Sequence, residues 1–112
     1  MAAPTTPSAK DVLTRLEATI AARSHMPPGS SYVASLNAKG LDTILKKIGE
    51  EATETVIAAK SGERRQIINE SADLLFHMMV MLNHQHIAFD DVLAELTRRE
   101  GTSGIDEKNA RK

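Results

Sequence analysis

From Leu41 onward, apolar residues recur at spacings of three, four and seven: Leu41, Ile44, Leu45, Ile48, Ala52, Val56 and Ala59. At 3.6 residues per turn they fall on one face about 120° wide, which predicts a long amphipathic helix. Gly62 follows the stripe, and its access to left-handed backbone suits a C-cap. Upstream, Val12, Leu13, Leu16 and Ile20 repeat the helical spacing behind Ser8 and Asp11, a capping box with the shorter acid. That pattern predicts a first helix over about 9–23. Pro27, Pro28 and Gly29 break it, and "SYVASLNAKG" has room for a short helix ending at Gly40. A third long helix is expected over about 63–86, and a last one behind Asp90 as N-cap, running to about Arg99. No strand-like alternation and no hairpin turn signal interrupts these patterns. The prediction is an all-α antiparallel bundle of about four helices per chain.

Composition narrows this picture. A chain of 112 residues has room for one domain, expected over 9–100, with a flexible N-terminus over 1–8 and a flexible tail over 101–112. Only Tyr32, Phe76 and Phe89 are aromatic, so the core must be aliphatic. A net charge of −1 provides no global attraction for nucleic acid or an anionic membrane. With no cysteine there are no disulfides, thiolate nucleophiles or thiolate metal sites. The N-terminus lacks the basic start and apolar stretch of a signal peptide, and "LLFHMMVML" is about half the length that a bilayer requires. A soluble, cytoplasmic protein is expected.

The acids carry the chemistry. On the long second helix Lys47, Glu50, Glu51 and Glu54 gather on one flank, with Glu51 nearest the apolar seam. The third helix is apolar nearly all the way round, as for a buried helix. Yet Gln66, Glu70, Asp73, His77 and His84 share a stripe about 60° wide on it. If the two helices form a hairpin about Gly62, residues equally far from that glycine lie level. Glu54 and Glu70 are each eight positions away, Glu51 and Asp73 eleven, and Lys47 and His77 fifteen. Two i, i+3 acid pairs then face each other, and carboxylates crowded in a partly dry site repel unless a cation lies between them. An all-oxygen set suits Mg²⁺, Mn²⁺ or Ca²⁺, with Mg²⁺ the best fit and Mn²⁺ a substitute. The Glu-x-x-His spacing of di-iron bundles is missing, and His84 and His86 point to different helix faces, which argues against zinc.

With these residues in place, "EEATE" followed by "ESAD" resembles the E-E-x-x-E then E-x-x-D signature of the MazG-like all-α nucleotide pyrophosphohydrolases. The flanking "SYVASLNAKGLDTILKKIGEEATETVIAAK" and "ADLLFHMMVML" resemble the phosphoribosyl-ATP pyrophosphohydrolase family more closely, over about residues 10–100. Phe76 stands where that family context carries Tyr. The resemblance implies Mg²⁺-dependent hydrolysis between the α and β phosphates of phosphoribosyl-ATP, the second step of histidine biosynthesis. It also implies a homodimer, and the chain's length and lack of cysteine leave no cyclohydrolase domain within it.

On this reading Glu51, Glu54, Glu70 and Asp73 are the metal ligands, against the plain alternative of a solvated acidic face. Glu50 is the candidate catalytic residue, orienting water, or else surface. Lys46, Lys47, Arg98 and Arg99 are candidate phosphate ligands, the two arginines reaching across a dimer. Solvent-facing lysines and helix-dipole partners are the plain readings. For His77 packing is favoured over substrate contact, and Met78, Met79 and Met81 are read as core. Two other functions stand beside the leading one: a house-cleaning nucleotide pyrophosphatase, and a non-catalytic helical dimerisation module.

Overall fold

The protein is described here by a computed structural model covering residues 8–101 together with 104, 108 and 109. Five helices follow in order: α1 (Ala9–Ser24), α2 (Tyr32–Lys39), α3 (Leu41–Ser61), α4 (Arg64–His84) and α5 (Phe89–Arg98), with a 3₁₀ turn over Pro28–Ser30. The chain is all-α, and the short helix before Gly40 is the fifth element beyond the four expected. The expected loose N-terminus lies outside the described residues, apart from Ser8. Most of the expected flexible tail lies outside them too; Gly104, Lys108 and Asn109 have helical backbone.

Local chemistry sets the helix ends. The Ser8 hydroxyl accepts from the backbone N–H of Asp11 at 3.1 Å, closing one half of the expected box. Ser31 does the same for Ala34, and the Glu63 carboxylate accepts from Arg65 and Gln66 at the start of α4. Gly62 ends α3 in the left-handed region, at φ 77°, and reverses the chain into α4. The start of α5 departs from expectation, because Ala88 is its N-cap and Asp90 lies in its first turn. Ala88 has no side-chain acceptor. The Glu17 carboxylate of α1 takes that role instead, accepting from the Phe89 N–H at 2.7 Å.

α3 and α4 share the most extensive contact in the chain, and α1 and α2 pack against one end of this hairpin. The core there joins Ile20, Val33, Leu36, Ile44, Met79 and Val80, flanked by Leu13, Leu16, Ile48, Phe76, Met81 and Phe89. Ile44 and Val80 are each eighteen positions from Gly62, so the core itself follows the equal-count register. Ile44 is 0 % exposed, and such burial contributes roughly 1.5–3 kcal/mol.

Nearer Gly62 the hairpin is bare: Val56 is 69 % exposed and Ile57 63 %, with Ile68 exposed across from them. Within one chain α4 is therefore not buried all round. Ile68, Leu75 and Met78 are exposed, and of the three methionines read as core, Met79 is buried, Met81 is half-buried and Met78 is 39 % exposed. Among the described residues, α1 and α2 cover one side of the hairpin. Among the described residues no helix is long and apolar enough to cross a membrane.

Candidate active site

The acids lie between the packed core and the bare end of the hairpin. Carboxylate oxygens of Glu51, Glu70 and Asp73 come within 4.8 Å of one another, although they belong to different helices. Glu54 lies beside both Glu51 and Glu70 and raises the pKa of each. Two of the three levels counted from Gly62 are therefore seen to meet, Glu51 with Asp73 and Glu54 with Glu70.

The electrostatics are those of crowded like charges. Glu51 is only 6 % exposed, a costly place for a carboxylate without a cation. Burial first, then the hydrogen bond and charge of Glu54 and the charge of Asp73, push its carboxyl above the usual range, while His77 eases it. The Glu70 carboxyl is pushed up to about 7, first by its contact with Glu54, then by burial and the neighbouring acids. No donor reaches the buried Oε2 of Glu51 or of Glu70.

Those two orphaned oxygens support a cation site. Ligands on opposite sides of a Mg²⁺ ion stand about 4.2 Å apart, and Ca²⁺ accepts wider spacings. Three oxygens already within 4.8 Å therefore need little movement to surround one hard divalent ion. Among the described residues this is the one group of three or more acids or histidines gathered so closely.

Lys47 stands at the edge of the cluster, its ammonium 3.3 Å from Glu50 Oε2 and 3.7 Å from Glu51 Oε1. The sequence count placed it level with His77; its ionic partners are on its own helix, three and four residues on. Glu50 is exposed and Lys46 lies on the outer surface of α3. Arg98 ends α5 and Arg99 is its C-cap; both bind Glu95, with Arg98 Nη2 at 2.6 Å. Arg99 lines a groove with Leu82, which is nine residues, or about 13 Å, along α4 from Asp73. Within one chain, the two arginines do not join the acids.

The pattern reading gave no role to Tyr32. Its ring stacks on Phe76 with centroids 6.2 Å apart, and its hydroxyl bonds His77 Nε2 at 2.8 Å. His77 Nδ1 lies 2.7 Å from the Asp73 carbonyl, which can only accept, so Nδ1 carries the hydrogen. Nε2 is then the ring atom left to pair with the Tyr32 hydroxyl. Burial raises the Tyr32 pKa, with Lys47 opposing and Glu51 and Asp73 adding to the rise, so the hydroxyl stays protonated beside the acids. His77 is thus a buried, satisfied packing residue that ties α2 to the turn of α4 bearing Asp73.

A cleft of about 170 Å³ opens beside the acids, lined by Glu54, Ile57, Ala58, Gln66 and Glu70. A larger hollow of about 440 Å³ between α1, α4 and the start of α5 is mostly apolar, and its one carboxylate, Glu17, already caps α5. The smaller cleft is the one bordered by acids of the cluster.

Residues 13–100 match the family described as Phosphoribosyl-ATP pyrophosphohydrolase. Among similar proteins, one from Novosphingobium aromaticivorans is 59 % identical over 101 residues, covering 90 % of this chain and 94 % of its own length. One from Methylococcus capsulatus is 61 % identical over 102 residues, covering 91 % and 97 %. One from Erythrobacter litoralis is 58 % identical over 101 residues, covering 90 % and 97 %. All three are named phosphoribosyl-ATP pyrophosphatase.

Proposed function

The chain belongs to the phosphoribosyl-ATP pyrophosphohydrolase family, and from that premise we propose that it hydrolyses the α–β phosphoanhydride of phosphoribosyl-ATP with Mg²⁺ as cofactor. Water adds to phosphorus, the anhydride bond breaks, and phosphoribosyl-AMP and pyrophosphate leave, a step of histidine biosynthesis placed in the cytoplasm. The observation that carries the metal and the site is the pair of orphaned carboxylate oxygens on Glu51 and Glu70, gathered with Asp73.

Glu51, Glu54, Glu70 and Asp73 hold the metal, with Mn²⁺ able to substitute. Once bound, Mg²⁺ offsets phosphate charge and lowers the pKa of an attacking water. Glu50, exposed at the rim, orients that water. Lys46 and Lys47 meet the phosphates from α3. Tyr32, paired with His77, keeps lone pairs with which it accepts from a water or a substrate hydroxyl.

The working unit is a homodimer. A cleft of about 170 Å³ is small for a nucleotide, since ligand sites usually enclose about 300–1,000 Å³. Beside it Val56, Ile57 and Ile68 leave an apolar surface that a second copy would cover. In that assembly Arg98 and Arg99 approach the phosphates from the partner chain.

Turnover of phosphoribosyl-ATP, followed by pyrophosphate release with and without Mg²⁺, tests the assignment. Hydrolysis that requires the metal is expected. Turnover of canonical deoxynucleoside triphosphates with none of phosphoribosyl-ATP would identify a house-cleaning enzyme instead. No turnover of any nucleotide and no response to Mg²⁺ would leave a helical dimerisation module.

A further inference from the structure

We propose that Lys47 is the resident cation of the metal-free site, and that a divalent ion binding to Glu51 displaces it, freeing the ammonium to take a phosphate oxygen of the substrate. The inference rests on the metal–phosphate reading of the acidic cluster and assigns Lys47 the step that links the two ligands.

The first support is the quality of the contact. A tight charge-assisted hydrogen bond spans about 2.7–2.9 Å, whereas the ammonium is 3.7 Å from Glu51 Oε1. Glu51 is the buried member of the acid cluster, and no donor reaches its other oxygen. Lys47 therefore neutralises Glu51 without satisfying it. A bound metal satisfies that carboxylate more fully, and a second cation on the same group is then repelled.

The second support is the tether. Glu50 lies 3.3 Å from the same ammonium, is exposed, and takes no part in the cluster of close ligand atoms. An ammonium released from Glu51 stays at the rim on Glu50 and does not swing into bulk water. The flexible four-carbon stem allows the move without shifting α3. The empty pocket, rich in carboxylates, repels a polyphosphate. The metal-loaded pocket with a free lysine at its rim attracts one. Metal binding and phosphate binding are thereby coupled through a single side chain, and the coupling is reciprocal.

Lys47→Met tests this because its two predicted effects have opposite signs. Calorimetry on the full chain would measure Mn²⁺ alone, then inorganic pyrophosphate at saturating Mn²⁺. Removing a competing cation should tighten Mn²⁺ binding about fivefold or more. Removing the freed ammonium should weaken pyrophosphate about tenfold. Lys47→Arg, which keeps the charge, should return Mn²⁺ affinity toward wild type, and a melting curve of each variant checks the fold. Weaker pyrophosphate binding with unchanged Mn²⁺ affinity would overturn the exchange, leaving a simple phosphate ligand. Both affinities weakened together would make Lys47 structural, and both unchanged would make it a surface charge. If the wild type binds neither probe, the metal–phosphate reading itself falls, and the exchange with it.

Discussion

Two clusters of carboxylates in this chain go in opposite electrostatic directions. Between α3 and α4, Glu51, Glu54, Glu70 and Asp73 face other acids, and the Glu70 carboxyl is pushed up to about 7. On α5, Glu95 lies between Arg98 and Arg99, and hydrogen bonding to Arg98 first, then to Arg99, pulls it down to about 2. Residue type is the same in both places; the neighbours differ. The α5 group has its countercharges beside it. The hairpin group is short of positive charge, with Lys47 no nearer than 3.7 Å to Glu51.

The widest gap between the two clusters should be seen in activity. Glu51→Gln or Asp73→Asn should lower turnover of phosphoribosyl-ATP at least about 100-fold, since even residues that only support a metal ligand are worth 10–100-fold. Near-normal turnover in either variant would remove the cluster from the chemistry.

A smaller contrast lies in stability. Saturating Mg²⁺ at about 100 times its Kd adds about 2.7 kcal/mol, enough to raise the Tm of a domain this size by several degrees. Scanning calorimetry should show that rise in wild type and lose it in Glu51→Gln. An equal rise in both would place the ion elsewhere.

The smallest contrast is in pH. Glu70 has a folded pKa raised from 4.5 to about 7, so the metal-free fold binds the extra proton. Its contribution is fully present below about 4.5 and is lost as pH rises through 7. Glu95 is lowered from 4.5 to about 2, so its contribution is present above 4.5 and is lost as pH falls toward 2. Without metal, Glu70→Gln should flatten the fall in Tm between pH 5 and 8. Glu95→Gln should leave that range nearly unchanged, because its ion pairs are exposed and screened. Matching pH profiles for the two variants would erase the distinction between the clusters.

Much of this was legible in the sequence, for physical reasons. The Leu41–Ala59 stripe and Gly62 define a hairpin whose register is simple counting, so the meeting of Glu51 with Asp73 and Glu54 with Glu70 follows from local rules. Ser8 caps α1 as its spacing predicts. What failed to read out depends on contacts distant in sequence. The carboxylate that caps α5 belongs to Glu17, seventy-two residues upstream, whereas local spacing points to Asp90. Tyr32 sits in a short helix after a proline break, and only the packing of α2 on α4 brings its hydroxyl to His77. The exposure of Met78 and Leu75 was hidden for another reason: apolar periodicity marks a face that needs cover without saying which chain supplies it.

The turn at Gly62 also makes the stretch from Glu54 to Glu70 behave as a gauge block. One residue added or lost within it would rotate the acids of one helix by about 100° relative to the other and slide them about 1.5 Å along the axis. Side chains on the outer surface there are open to drift through substitution, whereas the length of the interval is not.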